Sequence, residues 1–191
     1  MSSAPLRASP GKAGSRRASA TTAPVPPPPR SEPSVRRARA SDIPHLVELE
    51  TRCFNQDDRF PRATWRRLIG PASAQGKAQV LVIEGAGLAA AIVGLVKTGG
   101  KTARIYSLAV DPACRGRGLA GILMTALARR VVRRGCHAMS LEVRADNEAA
   151  LGLYQKVGFE VVARLPRYYA GRDPGLRLKV PLARYLALTA R

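Results

Sequence analysis

The chain has 191 residues, a formal net charge of +19 and 46% hydrophobic residues. That length suits one domain with a real core, while no apolar run approaches the ~20 residues of a membrane span and no compact apolar segment follows the start. The charge favours phosphate-bearing ligands, RNA-rich surroundings or acidic partners, but with only 5% aromatic residues a single-strand stacking platform is excluded. Cys53, Cys114 and Cys136 show no metal spacing and fit free thiols in a reducing cytoplasm, so no metal is expected and the expected location is cytoplasmic.

Residues 1–34 are Ser, Ala, Pro and Arg with almost no large apolar side chains, and they include a proline run at 24–29. Such a segment cannot bury enough surface to offset its ordering entropy, which predicts a disordered, passive tail. The folded domain is expected over 35–191. A short strand at 35–40 leads to Ser41 as N-cap, with Pro44 in the first turn and Leu46, Val47, Leu49 and Cys53 forming the apolar side of a helix. Residues 54–60 (FNQDDRF) form a loop, 61–69 a second helix, and 78–84 with 88–97 a hairpin about Gly85-Ala86-Gly87.

The next stretch organises the rest. A strand over 103–110 ends at Asp111-Pro112, since Pro112 cannot donate to a ladder. Arg115, Gly116, Arg117 and Gly118 follow, and then Leu119, Ile122, Leu123, Ala126, Leu127 and Val131 recur at helical spacing until Gly135. A glycine-bearing basic loop ahead of a helix presents unpaired N–H groups at the positive end of the dipole, a seat for a phosphate-bearing ligand. Gly116, Gly118 and Gly121 spell G-x-G-x-x-G, with Glu142 further on, as in a dinucleotide fingerprint. That motif requires its glycines directly after the strand, and Asp111 to Cys114 intervene. The same loop also spells R-x-x-G-x-A from Arg115 to Ala120.

Beyond it, 138–143 alternates as a strand with Glu142 on one face, Asn147 caps a helix ending at Gly158, and 159–165 and 176–180 are strands. Two motifs now stand at their expected separation: R-x-x-G-x-A, and Leu141-Glu142-Val143-Arg144 with Asn147, Leu153-Tyr154, Gly158-Phe159 and the later Tyr168-Tyr169. Together they resemble the GNAT acyl-CoA N-acyltransferase superfamily, most closely its ribosomal-protein-alanine N-acetyltransferases. One departure is visible: Gly171-Arg172-Asp173-Pro174 stands where that family carries Gly-Glu-Asp-Ala, a charge reversal beside the acceptor region.

The resemblance covers about 35–181. It implies an α/β GNAT fold, with a mixed, mostly antiparallel sheet of about seven strands and about four helices in the order β-α-α-β-β-β-α-β-α-β-β. It implies acetyl-CoA as co-substrate, no metal, and direct transfer in a ternary complex to a protein N-terminal amine, of a ribosomal protein in particular. Nucleic acid is not expected as a substrate. Glu142 takes the role of base through water and Tyr154 that of acid. Leu108, Ala109 and Val110 line the pantetheine and thioester through their main chain. Arg115, Gly116, Arg117, Gly118, Leu119, Ala120 and Gly121 hold the pyrophosphate, and Asn147 bonds the pantetheine arm. The acceptor groove falls to Phe54, Asp57, Asp58, Phe60, Tyr168 and Tyr169. Competing roles are an ion pair with Arg144 for Glu142 and a core position for Tyr154. Competing functions are acetylation of a lysine or small amine, and an acyl-CoA-sensing or ribosome-binding module without turnover.

Overall fold

A computed structural model describes residues 33–85, 87–169 and 173–190, together with the backbone of Arg7–Ala8. The rest of the expected tail, Ala86 of the hairpin and Arg172 of the departing motif lie outside the described residues. The elements run β1 (Arg7–Ala8), β2 (Val35–Arg37), α1 (Ile43–Cys53), α2 (Arg62–Ile69), α3 (Pro71–Ala74), β3 (Ala78–Gly85), β4 (Gly87–Val96), β5 (Thr102–Val110), α4 (Leu119–Val132), β6 (Ala138–Arg144), α5 (Glu148–Lys156), β7 (Glu160–Tyr169), β8 (Asp173–Pro181) and α6 (Leu182–Thr189). Seven strands follow the order β2-β3-β4-β5-β6-β8-β7, and β1 lies alongside β5. The β5–β6 and β1–β5 pairs are parallel, the others antiparallel. This is the mixed α/β fold expected, with two more helices, the one-turn α3 and the C-terminal α6.

Helices cover both faces of the sheet, so its central strands are apolar on both sides. Along β4, Leu88 to Val93 are all buried. One face packs Leu119, Leu123, Leu127 and Val131 of α4 with Tyr154, Phe159 and Tyr185 against Ile83, Ile92 and Ile105. The other packs Leu46 and Leu49 of α1 and Trp65 and Leu68 of α2 against Val80, Val82 and Val93. Gly94 brings α4 close to the sheet: a Cβ there would stand 2.5 Å from Cδ1 of Leu127.

Ser41 does not cap α1. A 3₁₀ turn spans Ala40–Asp42 and the helix begins after Asp42. The Asp42 carboxylate accepts from the Arg39 N–H at 2.7 Å and from Arg36 Nη1 and Nη2 at 2.7 and 2.9 Å. Arg36 also pairs with Glu84 at 2.7 Å, so β2, the start of α1 and the end of β3 share one ionic knot. At the other helix ends, Gly135 (φ +77°) and Gly158 (φ +89°) supply the left-handed stops their positions require. β7 runs on past the expected strand end at 165, through Pro166 to the paired tyrosines, with an irregular register between Leu165 and Tyr169 and Arg167 at φ +52°.

Candidate active site

The site grows from a mismatch in the sheet. β5 pairs with β4 as far as Val93↔Ser107 and then resumes at Gly94↔Ile105, so Tyr106 is one extra residue on β5. An inserted residue bends its strand and interrupts the ladder. On its other edge β5 pairs with β6 only from Thr102↔Ala138 to Arg104↔Ser140. Beyond Arg104 the two strands part, and the main chain of Ser107 to Val110 faces a cleft whose far wall is β6 from Leu141 onward. Leu108 and Ala109 bury their side chains in opposite cores, which leaves backbone groups at the cleft edge. The backbone of Arg7–Ala8 runs along this edge beside Ser107 and Leu108.

At the end of β5 the chain turns through Asp111, whose Oδ1 accepts from the Ala113 N–H at 2.9 Å and whose Oδ2 takes Arg52 Nε at 2.7 Å. That anchors a 3₁₀ turn, Pro112–Cys114, ahead of the glycine loop. Gly116 (φ +76°) and Gly118 (φ +72°) both hold left-handed backbone. Gly118 is the N-cap of α4 and has no side chain to satisfy the first-turn donors, so the amides of Leu119, Ala120 and Gly121 are left to an external acceptor. Around both glycines an added Cβ would meet nothing within 4 Å. Their requirement is therefore the turn itself, with open space above it for an anion. Arg115 and Arg117 add full charges to that seat.

Glu142 lies on β6 with its side chain 3% exposed. Its partner is not Arg144. Oε2 accepts from Arg104 Nε at 2.6 Å and Oε1 from Arg177 Nε at 2.9 Å. Arg104 is the last β5 residue before the strands part, and Arg177 faces Glu142 directly across the β6–β8 ladder. Arg104 Nη2 also donates to the Tyr168 hydroxyl at 3.1 Å. A carboxylate offers about four lone-pair positions, so each oxygen retains acceptor capacity beyond its arginine.

Tyr154, on α5, is 1% exposed and packs on Phe159 with ring centroids 5.7 Å apart. Burial alone pushes its hydroxyl well above the usual tyrosine pKa, so it stays a proton donor. Asn147 caps α5: its Oδ1 accepts from the Ala150 N–H at 3.1 Å, which leaves the amide NH₂ to donate to a ligand.

Arg144 instead gathers the loops that flank the cleft. It pairs with Asp173 at the start of β8, approaches Asp58 at 3.8 Å, and its guanidinium sits 4.7 Å from the Tyr169 ring centroid. Asp57 and Asp58 belong to a 3₁₀ turn, Gln56–Asp58. Phe54 and Phe60 do not line an open groove. Both are buried in the core beneath α1 and α2, and Phe60 stacks on Tyr106 at 5.1 Å. They anchor the chain on either side of the 3₁₀ turn to the core. Tyr169 is buried, Tyr168 half-buried, and burial raises the pKa of each hydroxyl.

Sequence reasoning missed Arg104 and Arg177, and it placed Asp173 beside the acceptor region without its ion pair to Arg144. The first two act only through strand register, and a signal was available: an arginine on a strand next to β6 can pair with a lone inward carboxylate. Among the described residues no group of His, Cys, Asp and Glu is placed to hold a metal ion, and no helix is long and apolar enough to cross a membrane.

Known proteins share this fold. The family model described as acetyltransferase (GNAT) family matches residues 43–159. An acetyltransferase of Pectobacterium atrosepticum is 42% identical over 73 residues, 37% of this chain and 52% of that protein. The chain spans about a third to a half of the length of the curated relatives it matches. Among solved structures, the ribosomal-protein-S18-alanine N-acetyltransferase from Escherichia coli superposes with a TM-score of 0.66 at 24% identity, over 78% of this chain and 93% of that one. An acetyltransferase of Salmonella typhimurium solved with acetyl-CoA gives 0.66 at 22%, over 80% and 95%. A spermidine N-acetyltransferase chimera from Vibrio cholerae gives 0.70 at 18%, over 82% and 99%. Matched over most of its folded part by the family model and sharing this fold, the chain belongs to the acetyltransferase (GNAT) family.

Proposed function

We propose that this chain moves the acetyl group of acetyl-CoA onto the α-amine of a protein N-terminus, with ribosomal proteins as the acceptor class. The diphosphate sits on the amides and arginines of 115–121, and the pantetheine arm follows the β5 edge towards Glu142. The amine nitrogen attacks the thioester carbon, a β5 main-chain N–H steadies the developing oxyanion, and the C–S bond breaks. The amine proton leaves through water to Glu142, and Tyr154 protonates the departing thiolate.

The observation that carries the acceptor class is the pair of guanidiniums on Glu142. Two cations at the reacting carboxylate disfavour an acceptor that arrives charged. An α-amine, with a pKa near 7.7–8.0, is neutral in about a tenth to a sixth of molecules at pH 7, whereas a lysine near 10.4 is neutral in only about one in 2,500. A polyamine carries still more charge. The motif from Leu141 to Phe159 with Tyr168-Tyr169 supports the same acceptor.

The test measures thiol release from acetyl-CoA with peptides beginning in Ala, Ser or Met and with a blocked peptide offering only lysine, for the wild type, Glu142→Gln and Tyr154→Phe. The reading expects turnover on the free N-termini and a loss of about 10²–10⁴-fold on removing either acid–base group. Turnover on the lysine peptide alone would assign a different acceptor, and turnover unaffected by both substitutions would refute the residue roles.

A further inference from the structure

The acetyl-CoA seat accounts for only part of the positive charge. α4 is 14 residues long, about 21 Å at the rise of a helix, and a second basic region lies at its far end. Three loops meet there: the one before β3, the one between β4 and β5, and the one after α4. They bring Lys77, Lys97, Lys101 and Arg134 around one hollow, and Arg134 also borders an adjoining hollow with Arg37. The Arg134 guanidinium lies across Gly76, where a Cβ would stand 1.9 Å from Nη2. That close approach joins the two hollows into one surface.

Residues 70–77, 97–101 and 133–137 contain no Asp or Glu. Among the described residues none of these five cations is ion-paired, while the acids are engaged elsewhere, Asp42 and Glu84 by Arg36, Asp111 by Arg52 and Glu142 by Arg104 and Arg177. Arg130, one turn back along α4, has its pKa lowered first by burial and then by its like-charged neighbours Arg133 and Arg37. The cations therefore crowd one another, an arrangement that a polyanion relieves.

We propose that this face docks the phosphate backbone of duplex RNA without reading its sequence. The three loops hold no Phe, Tyr or Trp, so unpaired bases find nothing to stack on and a single strand is disfavoured. They also hold no Leu, Phe or Trp to insert into a bilayer, which disfavours an anionic membrane. The choice of RNA over DNA rests on the ribosomal acceptor proposed above; the positive surface itself does not. Docked in this way, the cleft at the other end of α4 stays open to a protein terminus held on an RNA-rich particle.

Fluorescence anisotropy with a labelled RNA hairpin, over about 50 to 200 mM salt and without acetyl-CoA or acceptor, tests this separately from catalysis. The comparison is between Lys77→Glu/Lys97→Glu/Lys101→Glu and a control of equal net charge, Arg62→Glu/Arg66→Glu/Arg67→Glu, on the exposed side of α2, with thermal melts to confirm that each folds. The wild type should bind with a salt slope of about −0.9 per phosphate contact. The lysine triple variant should lose on the order of 100-fold in affinity and about 2.7 of that slope, and the control should lose far less. Equal losses in both variants would show a diffuse field and overturn the proposal. So would preference for a single strand or a DNA duplex, binding to anionic vesicles but not to RNA, or no binding by the wild type.

Discussion

Arg177 stands directly opposite Glu142 across the β6–β8 ladder, and its Nε donates to Oε1 at 2.9 Å. With Arg104 on Oε2, it makes the proposed catalytic carboxylate one corner of a net positive cluster. At the effective dielectric of a partly buried site, a unit charge several ångströms away is worth about 2 kcal/mol. Arg177→Gln should therefore relax discrimination against cationic acceptors: the ratio of kcat/KM for an N-terminal amine to that for a lysine peptide should fall about tenfold or more. Competition between the two peptides in one tube reads that ratio, and an unchanged ratio would remove the guanidinium from acceptor selection.

Gly118→Ala separates cofactor binding from chemistry. The left-handed backbone costs a side chain about 1–2 kcal/mol, although space is not limiting. KM for acetyl-CoA should rise about five- to thirtyfold with kcat nearly unchanged. Equal effects on both would mean that the loop positions the reacting group as well as the diphosphate.

Arg144 ties the Gln56–Asp58 turn to the start of β8. Arg144→Gln should free the two flanking loops from each other and raise KM for the acceptor peptide several-fold, with KM for acetyl-CoA unaffected. Initial-rate kinetics with each substrate varied in turn distinguish the two.

The backbone of Arg7–Ala8 occupies the edge along which the pantetheine arm is proposed to run. Removing residues 1–32 should then lower KM for acetyl-CoA and leave kcat unchanged, in place of the passive linker expected from composition. A truncated protein with identical KM would show that the tail does not compete for that edge.

Stability should fall at both ends of the pH scale. Hydrogen bonds from Arg36, opposed by burial, hold Asp42 below its usual range. Its contribution is complete above the unfolded value of about 3.9 and is lost as pH falls further. Burial raises Tyr154 and Tyr169 above the unfolded value of about 10. Their contribution is present below about pH 10 and is lost above it, at up to about 1.4 kcal/mol per pH unit for each. Urea melts at about pH 9 and pH 11 check the alkaline side, and Tyr154→Phe should flatten the decline.

Local chemistry made the backbone of the proposed cofactor half legible. Gly118 at the head of α4, Asn147 on α5 and the stops at Gly135 and Gly158 each follow from what one residue can do with its own backbone. The acceptor half depends on which strands become neighbours. Arg104 and Arg177 lie 38 and 35 residues from Glu142, and only the placement of β8 beside β6 brings Arg177 to it. Phe54 and Phe60 misled because an aromatic residue in a polar loop suits a groove and a core anchor equally well; burial beneath α1 and α2 decided it. Ser41 does not cap because it lies inside the 3₁₀ turn that precedes α1, and the Asp42 carboxylate turns back to Arg36 and the Arg39 N–H. α6 carries a signal of its own, since Leu182, Tyr185 and Leu186 recur at helical spacing just after Pro181, beyond the last expected strand.

The most direct measurement locates the acetyl group itself. Incubated with acetyl-CoA and a peptide carrying both a free N-terminal amine and an internal lysine, then fragmented by mass spectrometry, the product should bear acetyl on the α-amine, and Glu142→Gln should yield almost none. Acetyl found on the lysine, or equal yields from Glu142→Gln and the wild type, would contradict the account.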